Sequence, residues 1–262
     1  MSAHPPVTLV SLSAAMDGAL VAIADVVSAL RAVGADNDYR LIGGVAVLLH
    51  VQRLGLDLPL RATGDADIGV PPALLRDATL AEHVEALGYH KIRGNRWERP
   101  LPDRRTATVD LLVPAYTSRT RHTVRIGDVV TTEVPGLATA LQRPGVVLDA
   151  ALRLSDGTVR TTTITLPDAY ATLVLKARAR TVRSENRDVE DLWRCLEIAA
   201  ADGVTPDFVP ADDPDRLREV LYRELGAGGP ALDVLTSDLQ SGAATRLRTR
   251  ILALLHDVVG TQ

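Results

Sequence analysis

The sequence has little cysteine, few aromatic residues and no long apolar run, and each scarcity excludes a class of protein. Cys195 is the only cysteine among 262 residues, so no internal disulfide can form and we expect a reducing, cytoplasmic location. No apolar run is long enough to cross a membrane and the N-terminus lacks signal-peptide features, so we expect no membrane partner. Aromatic residues make up 3% of the chain, which excludes broad recognition of bases by stacking.

Positive charge is not in excess, and lysine is nearly absent. The net charge of −4 excludes a general binder of polyanions, so any contact with nucleic acid needs a local basic patch. Of 29 basic residues, only Lys91 and Lys176 are lysine. Because arginine serves everywhere else, these two positions indicate a need for a compact ammonium group.

Apolar periodicity and turn residues predict an α/β part over residues 1–166 and a mainly helical part over residues 167–262. In the first part we expect a poorly ordered lead-in at 1–10 and helices at 14–33, 45–54, 71–87 and 135–142. Strands are expected at 39–42, 65–70, 89–93, 96–99, 106–113, 146–154 and 159–166, with a hairpin at 123–133; residues 148–154 also fit a helix. The second part is predicted to hold helices at 168–183, from Ser184 or Asn186 to 201, and at 216–225, 231–239 and 243–259.

The stretch from residue 38 to residue 70 combines two features that point to phosphate chemistry. A strand stops at Gly43-Gly44, and a helix follows at once. Paired glycines allow a tight turn with amide groups at a helix N-terminus, which favours an anion such as phosphate. Asp65 and Asp67 then leave one face of the next strand, where two carboxylates so close together call for a divalent cation.

Asp110 is a third acid, placed in the middle of an apolar strand. An unpaired carboxylate is costly to bury, so a structural ion pair with Arg104 or Arg105 is one interpretation. The other is a shared metal site with Asp65 and Asp67, in which three carboxylates hold Mg²⁺ and Asp110 accepts a hydroxyl proton.

In this order, the motifs resemble the polymerase-β-type nucleotidyltransferase superfamily. Within it, they are similar to the AbiEii toxin branch, which includes the MenT-type toxins, over residues 39–196. The resemblance is carried by Gly43-Gly44, Arg61-x-Thr63-x-Asp65-x-Asp67, Asp110, Leu175-Lys176-Ala177 and Arg187-Asp188-x-x-Asp191. One departure is Val45, which stands where many members have serine or threonine.

This resemblance implies an α/β nucleotidyltransferase core with a mixed sheet, completed by the helical part. It implies transfer of a nucleoside monophosphate from a nucleoside triphosphate (NTP) to a hydroxyl, with Mg²⁺ or Mn²⁺ as cofactor. Asp65, Asp67 and Asp110 correspond to the metal ligands, and Lys176 to the triphosphate lysine. The implied nucleotide-binding set is Gly43, Gly44, Lys176, Asp188 and Asp191.

Lys176, Asp188 and Asp191 each have an ordinary structural interpretation as well. A lysine on an amphipathic helix usually extends its amine to solvent. Acids in a first helical turn complement the helix dipole. Asp188 and Asp191 also lie at the edge of an apolar stripe, from which they can pair with Lys176, Arg180 or Arg183.

A basic hairpin supplies candidate contacts to the acceptor. Its cations are Lys91, Arg93, Arg96 and Arg99, with Trp97 among them as one stacking aromatic. The alternative is a solvated hairpin face with no ligand. RNA, namely a tRNA 3′ end modified by the toxin of a toxin–antitoxin pair, is the first expectation, with a cognate antitoxin as partner. A small hydroxylated molecule such as an aminoglycoside is the second, and a non-catalytic nucleotide-binding module is the third.

Overall fold

Helices and mixed sheets make up the fold, which confirms the predicted mixed α/β class. The computed structural model describes residues 6–77, 79–116, 123–182, 186–213 and 215–261, with the backbone alone for 103, 186 and 187. The chain divides into two units, Met1–Asp168 and Ala169–Gln262. None of the helices within the described ranges is both long and apolar enough to cross a bilayer.

Among the described residues of the first unit, ten strands and five α-helices are found. The strands are β1 (Val7–Val10), β2 (Arg40–Ile42), β3 (Ala66–Gly69), β4 (His90–Arg93), β5 (Arg96–Pro100), β6 (Thr106–Pro114), β7 (Val124–Ile126), β8 (Val129–Val134), β9 (Val146–Arg153) and β10 (Val159–Leu166). The helices are α1 (Ala14–Ala32), α2 (Gly43–Arg53), α3 (Ala73–Arg76), α4 (Thr79–Ala86) and α5 (Leu137–Gln142).

The longest strand, β6, organises a seven-stranded sheet with the order β2-β3-β6-β5-β4. It lies parallel to β3 on one side and antiparallel to β5 on the other. Its last residues, from Leu112 to Pro114, pair in parallel with β8, which in turn pairs with β7. Because β6 is covered so fully, its residues from Ala107 onward are buried, as a near-continuous apolar run requires.

The core of this unit forms where α1 packs on the sheet. Leu20, Ile23 and Leu30 of the helix are fully buried, as are Ile68 and Leu111 of the sheet. Gly18 allows the close approach, since a Cβ there would stand 1.9 Å from the carbonyl oxygen of Thr106. A side chain at this position would force the helix away from β6.

A second, three-stranded sheet has the order β1-β9-β10. β1 pairs in parallel with β9, so the prediction of a poorly ordered lead-in at 1–10 is wrong for Val7–Val10; residues 1–5 lie outside the described residues. β9 and β10 form the predicted hairpin, and the helical alternative for 148–154 is wrong because these residues pair with β10. The predicted helix at 71–87 is also wrong in part: α3 ends at Arg76, and Asp77 begins a turn in which its carbonyl accepts from the amide of Thr79 at 2.7 Å.

The second unit is helical, as predicted. It contains α6 (Ala169–Arg180), α7 (Asn186–Ala201), α8 (Leu217–Leu225), α9 (Pro230–Thr236) and α10 (Ser241–Val259). The expected apolar stripe of α7 is buried, since Leu192, Cys195, Leu196 and Ala199 are each fully covered. Of the two residues proposed to cap α7, Asn186 is the first helical residue and Ser184 lies outside the described residues.

Candidate active site

Asp67 and Asp110 lie side by side on the central strands. β3 and β6 run parallel with Asp67 opposite Asp110, so the two carboxylates leave the same face of the sheet. Asp65 precedes β3 by one residue, and the hydroxyl of Thr63 donates to it at 3.4 Å. Asp110 is buried, whereas Asp65 and Asp67 are half-buried. The structure therefore brings the three predicted acids to one place.

Arg96 supplies the positive charge at this place. It stands opposite Asp110 on β5, and its Nε and Nη2 donate to the two oxygens of Asp110 at 3.1 and 2.9 Å. The same Nη2 donates to Asp65 at 2.9 Å. The hydrogen bonds to Asp110 raise the pKa of Arg96 further above its ordinary value, so the guanidinium is always charged. The partner predicted for Asp110, Arg104 or Arg105, is therefore wrong; Arg105 instead pairs with Asp17.

These residues have the chemistry of a cation site, and the cation they hold is a guanidinium. Carboxylate oxygens are the donors that Mg²⁺ and Mn²⁺ prefer. Within the residues that the structure describes, no three histidine, cysteine or acidic side chains already converge as metal ligands. Asp65, Asp67 and Asp110 offer the oxygen donors that a hard divalent ion takes, and in this structure Asp65 and Asp110 share the guanidinium of Arg96.

The Gly43-Gly44 turn packs directly against the acids. Gly43 has φ +72°, which favours glycine, and a Cβ there would stand 1.9 Å from Oδ2 of Asp67. At Gly44, a Cβ would lie 3.1 Å from Thr63 Oγ1 and 3.4 Å from Nη2 of Arg61. The helix α2 begins at Gly43, so its N-terminal amides, the Arg61 guanidinium and the Asp67 carboxylate are neighbours. The predicted phosphate turn thus lies beside the predicted metal ligands.

An open cleft of about 310 Å³ borders Arg96 and Asp110. It is lined by Arg93, Asn95, Thr123 and Thr132 in addition to those two residues and Gly94. The hydroxyl of Thr132 donates to Oδ1 of Asn95 at 2.7 Å, which holds the amide in place. The volume is at the lower end of the range for small-molecule sites, and the lining is polar.

Of the four cations predicted for the acceptor, Arg93 and Arg96 line this cleft. Arg93 is exposed and lines the cleft, and Arg96 binds the acids. Arg99 pairs instead with Asp25 of α1. Lys91 lies over the ring of Trp97, 5.5 Å from its centroid, and burial lowers the pKa of Lys91. The expectation that Trp97 stacks on a base is wrong, because its side chain is buried in the core.

In the helical unit, Lys176 is buried and ion-paired. Its Nζ donates to Oδ2 of Asp191 at 2.8 Å, and Arg194 donates to the other oxygen at 3.1 Å. Only 8% of the Lys176 side chain and 3% of the Asp191 side chain are exposed. The interpretation of Lys176 as a solvent-exposed surface lysine is therefore wrong, and the expected pairing with Asp191 is confirmed. Asp188 is also buried on α7.

Sequence reasoning missed the position of Arg96, although a signal was present. β5 and β6 pair symmetrically about residue 103, so residues equally far from that turn face each other. A hairpin centred on Pro102–Arg104 places Arg96 opposite Asp110. Thr63 and Asn95 were also missed as site residues; they occur in the Arg61-x-Thr63 and Gly94-Asn95 stretches.

No family model matches this chain, and no curated protein matches it at a significant level.

Proposed function

We propose that this chain is a metal-dependent nucleotidyltransferase that moves a nucleoside monophosphate from an NTP to a hydroxyl and releases pyrophosphate. The observation that carries the proposal is the pairing of Asp67 with Asp110 on adjacent parallel strands, with Asp65 and the Gly43-Gly44 turn against them. This juxtaposition joins a carboxylate cluster to a helix N-terminus, the two elements that a bound, metal-associated triphosphate requires.

Each residue has a specific role in this proposal. Asp65, Asp67 and Asp110 would hold Mg²⁺ or Mn²⁺, which when bound polarises the phosphoryl oxygens and lowers the pKa of the acceptor hydroxyl. The amides at the start of α2, with Arg61 beside Gly44, bind phosphate oxygens. Asp110 accepts the hydroxyl proton. For Lys176, Asp188 and Asp191 of the second unit, nucleotide binding stays a prediction from the sequence.

For the acceptor we propose RNA, with a tRNA 3′ end modified by a toxin that a cognate antitoxin neutralises. The cleft supports an anionic acceptor, because Arg93 lines it next to Arg96. A small hydroxylated molecule is the alternative acceptor, and the modest cleft volume favours it.

A non-catalytic nucleotide-binding module is a second candidate function, and three ion pairs favour it. Arg96 pairs with both Asp65 and Asp110, and Lys176 pairs with Asp191. A module of this kind would bind an NTP without releasing pyrophosphate.

The test is transfer of label from each α-labelled NTP, with Mg²⁺ or Mn²⁺, to total RNA or to a set of aminoglycosides. We expect label in RNA, and we expect Asp67→Asn to abolish it while leaving the circular dichroism spectrum unchanged. Near-full activity of Asp67→Asn would refute the assignment of the metal ligands. Label in the aminoglycosides alone would select the small-molecule enzyme, and NTP binding without pyrophosphate release would select the non-catalytic module.

A further inference from the structure

We propose that Arg96 is an exchangeable counter-cation, which occupies the cation position between Asp65 and Asp110 until a divalent metal displaces it into the adjacent cleft. This inference rests on the proposed function, because it takes these acids to be the metal ligands. It adds to that function a restraint on metal loading, which Arg96 exerts.

The first argument is steric and electrostatic exclusion. Nη2 of Arg96 lies 2.9 Å from an oxygen of Asp65 and 2.9 Å from an oxygen of Asp110. A Mg²⁺ ion bound to those oxygens sits about 2.1 Å from each. A metal bound to them on the side of Arg96 would overlap with the guanidinium nitrogen, and the two charges would repel each other. The two cations therefore compete for one position.

The second argument concerns what keeps Arg96 in place. Two carboxylates this close repel each other, and the fork of Arg96 satisfies both with three charge-assisted hydrogen bonds. Asp110 is the more deeply buried acid, with 11% of its side chain exposed. An uncompensated charge there is unfavourable, so the acids need a cation in every state of the protein.

The third argument is that the adjacent cleft can accommodate the displaced guanidinium. Arg96 lines the open cleft, and 31% of its side chain is already exposed. The lining oxygens of Asn95 and Thr132 can accept its hydrogen bonds. Once there, Arg96 stands with Arg93 in the wall of the cleft, and the two cations form a site for a substrate phosphate. Metal loading and phosphate binding are thereby coupled, and each raises the affinity for the other.

The primary experiment measures Mn²⁺ binding by calorimetry, without nucleotide, in the wild type and in Arg96→Met. Removal of the competing cation should tighten Mn²⁺ binding at least tenfold. Arg143→Met is the matched control: Arg143 is 30% exposed, like Arg96, and pairs at 2.7 Å with Asp168, which is not one of the three acids. We expect no change of Mn²⁺ affinity in this control.

A second measurement uses the wild type, in case Arg96→Met does not fold. The Nε–H resonance of Arg96, assigned by its loss in Arg96→Lys, should shift on titration with Mg²⁺ and a non-hydrolysable NTP, as the bond to Asp110 breaks. A resonance that stays unchanged under saturation overturns the proposal.

Three outcomes of the calorimetry are distinguishable. Tighter Mn²⁺ binding in Arg96→Met than in the wild type, with no change in Arg143→Met, supports the proposal. Equal or weaker binding in Arg96→Met overturns it and leaves the proposed function standing. No Mn²⁺ binding by either protein, even with a non-hydrolysable NTP, overturns the proposed function together with the inference.

Discussion

At the scale of single residues, the buried pair of Lys176 and Asp191 should contribute to the stability of the helical unit. Replacement of Lys176 by alanine removes the lysine from the buried Asp191 carboxylate, to which Arg194 still donates. We expect the free energy of unfolding of the helical unit to fall by about 3 kcal/mol, which is the lower end of the range for removal of one partner of a buried ion pair. Cys195 can report this, because the thiol is fully buried and burial raises its pKa to about 12.

The measurement is the rate at which Cys195 of the native protein reacts with a thiol reagent. A buried thiol reacts only when its surroundings open, so a loss of about 3 kcal/mol should accelerate the reaction about 100-fold. The control is Lys91→Ala, which removes the other lysine and lies in the first unit. A rate in Lys176→Ala as slow as in the wild type would show that the pair adds no stability.

The sequence predicted those features of the site that depend on residue spacing within one strand or helix. Asp65 and Asp67 share a face because they are two positions apart, and the Asp191 partner of Lys176 was among the expected pairings. The partner of Asp110 was not predicted, because it depends on the register between β5 and β6, which single positions do not state. The interior position of Trp97 was missed for the same reason, since Trp97 and Arg96 are neighbours that face opposite sides of β5.

At the scale of elements, the β2–α2 turn depends on Gly43. We expect Gly43→Ala to lower the free energy of unfolding by about 2 kcal/mol or more, because the Cβ strains the backbone and displaces the carboxylate of Asp67. Because Asp67 is a proposed metal ligand, we also expect the variant to lose nucleotidyl transfer. Gly34→Ala separates the two effects: its φ is +73°, close to the +72° of Gly43, and no atom lies within 4 Å of the added Cβ. In this control the free energy of unfolding, measured with urea, should fall by about 1 kcal/mol, and the activity should be retained. Equal costs in the two variants would contradict the predicted contact with Asp67.

Helices and strands with a clear local sequence pattern were predictable. Elements that depend on pairing with a distant part of the chain were not. The apolar run of α1, with few turn residues, and the strand-like run of β6, which Pro114 ends, gave both elements nearly their observed bounds. β1 is only four residues long, and its partner β9 lies far along the chain, so its sequence did not distinguish it from a loop. The break after Arg76 was missed because Asp77 and Thr79 are acceptable within a helix, although they also form turns.

At the scale of the whole molecule, Asp17 links α1 to both sheets and should make stability depend on pH. Burial alone would raise the pKa of Asp17, but hydrogen bonds from Ser11, Ser155 and Arg105 outweigh it and lower the pKa below the ordinary value of 3.8. A lowered pKa contributes stability above the unfolded value, which is lost as the pH falls through the folded value. We therefore expect Asp17→Asn to be clearly less stable than the wild type at pH 6, and the gap to narrow below pH 4.

The measurement for Asp17 is urea unfolding at a series of pH values. The control is Asp36→Asn, which breaks an exposed ion pair with Arg31 and should change stability little at any pH. A gap between Asp17→Asn and the wild type that stays constant down to pH 2 would contradict the lowered pKa of Asp17.

The parallel pairing of β1 with β9 sets the order in which the first unit can be assembled during synthesis. Val7 pairs with Ala150, which is synthesised much later. Because a ribosome adds about 5–20 residues per second, the time between the synthesis of β1 and that of β9 is on the order of ten seconds. All strands of the seven-stranded sheet, from β2 to β8, end at Val134, before β9 begins at Val146. The acids and Arg96 can therefore come together on a nascent chain whose N-terminal strand is still unpaired and open to contact with other chains.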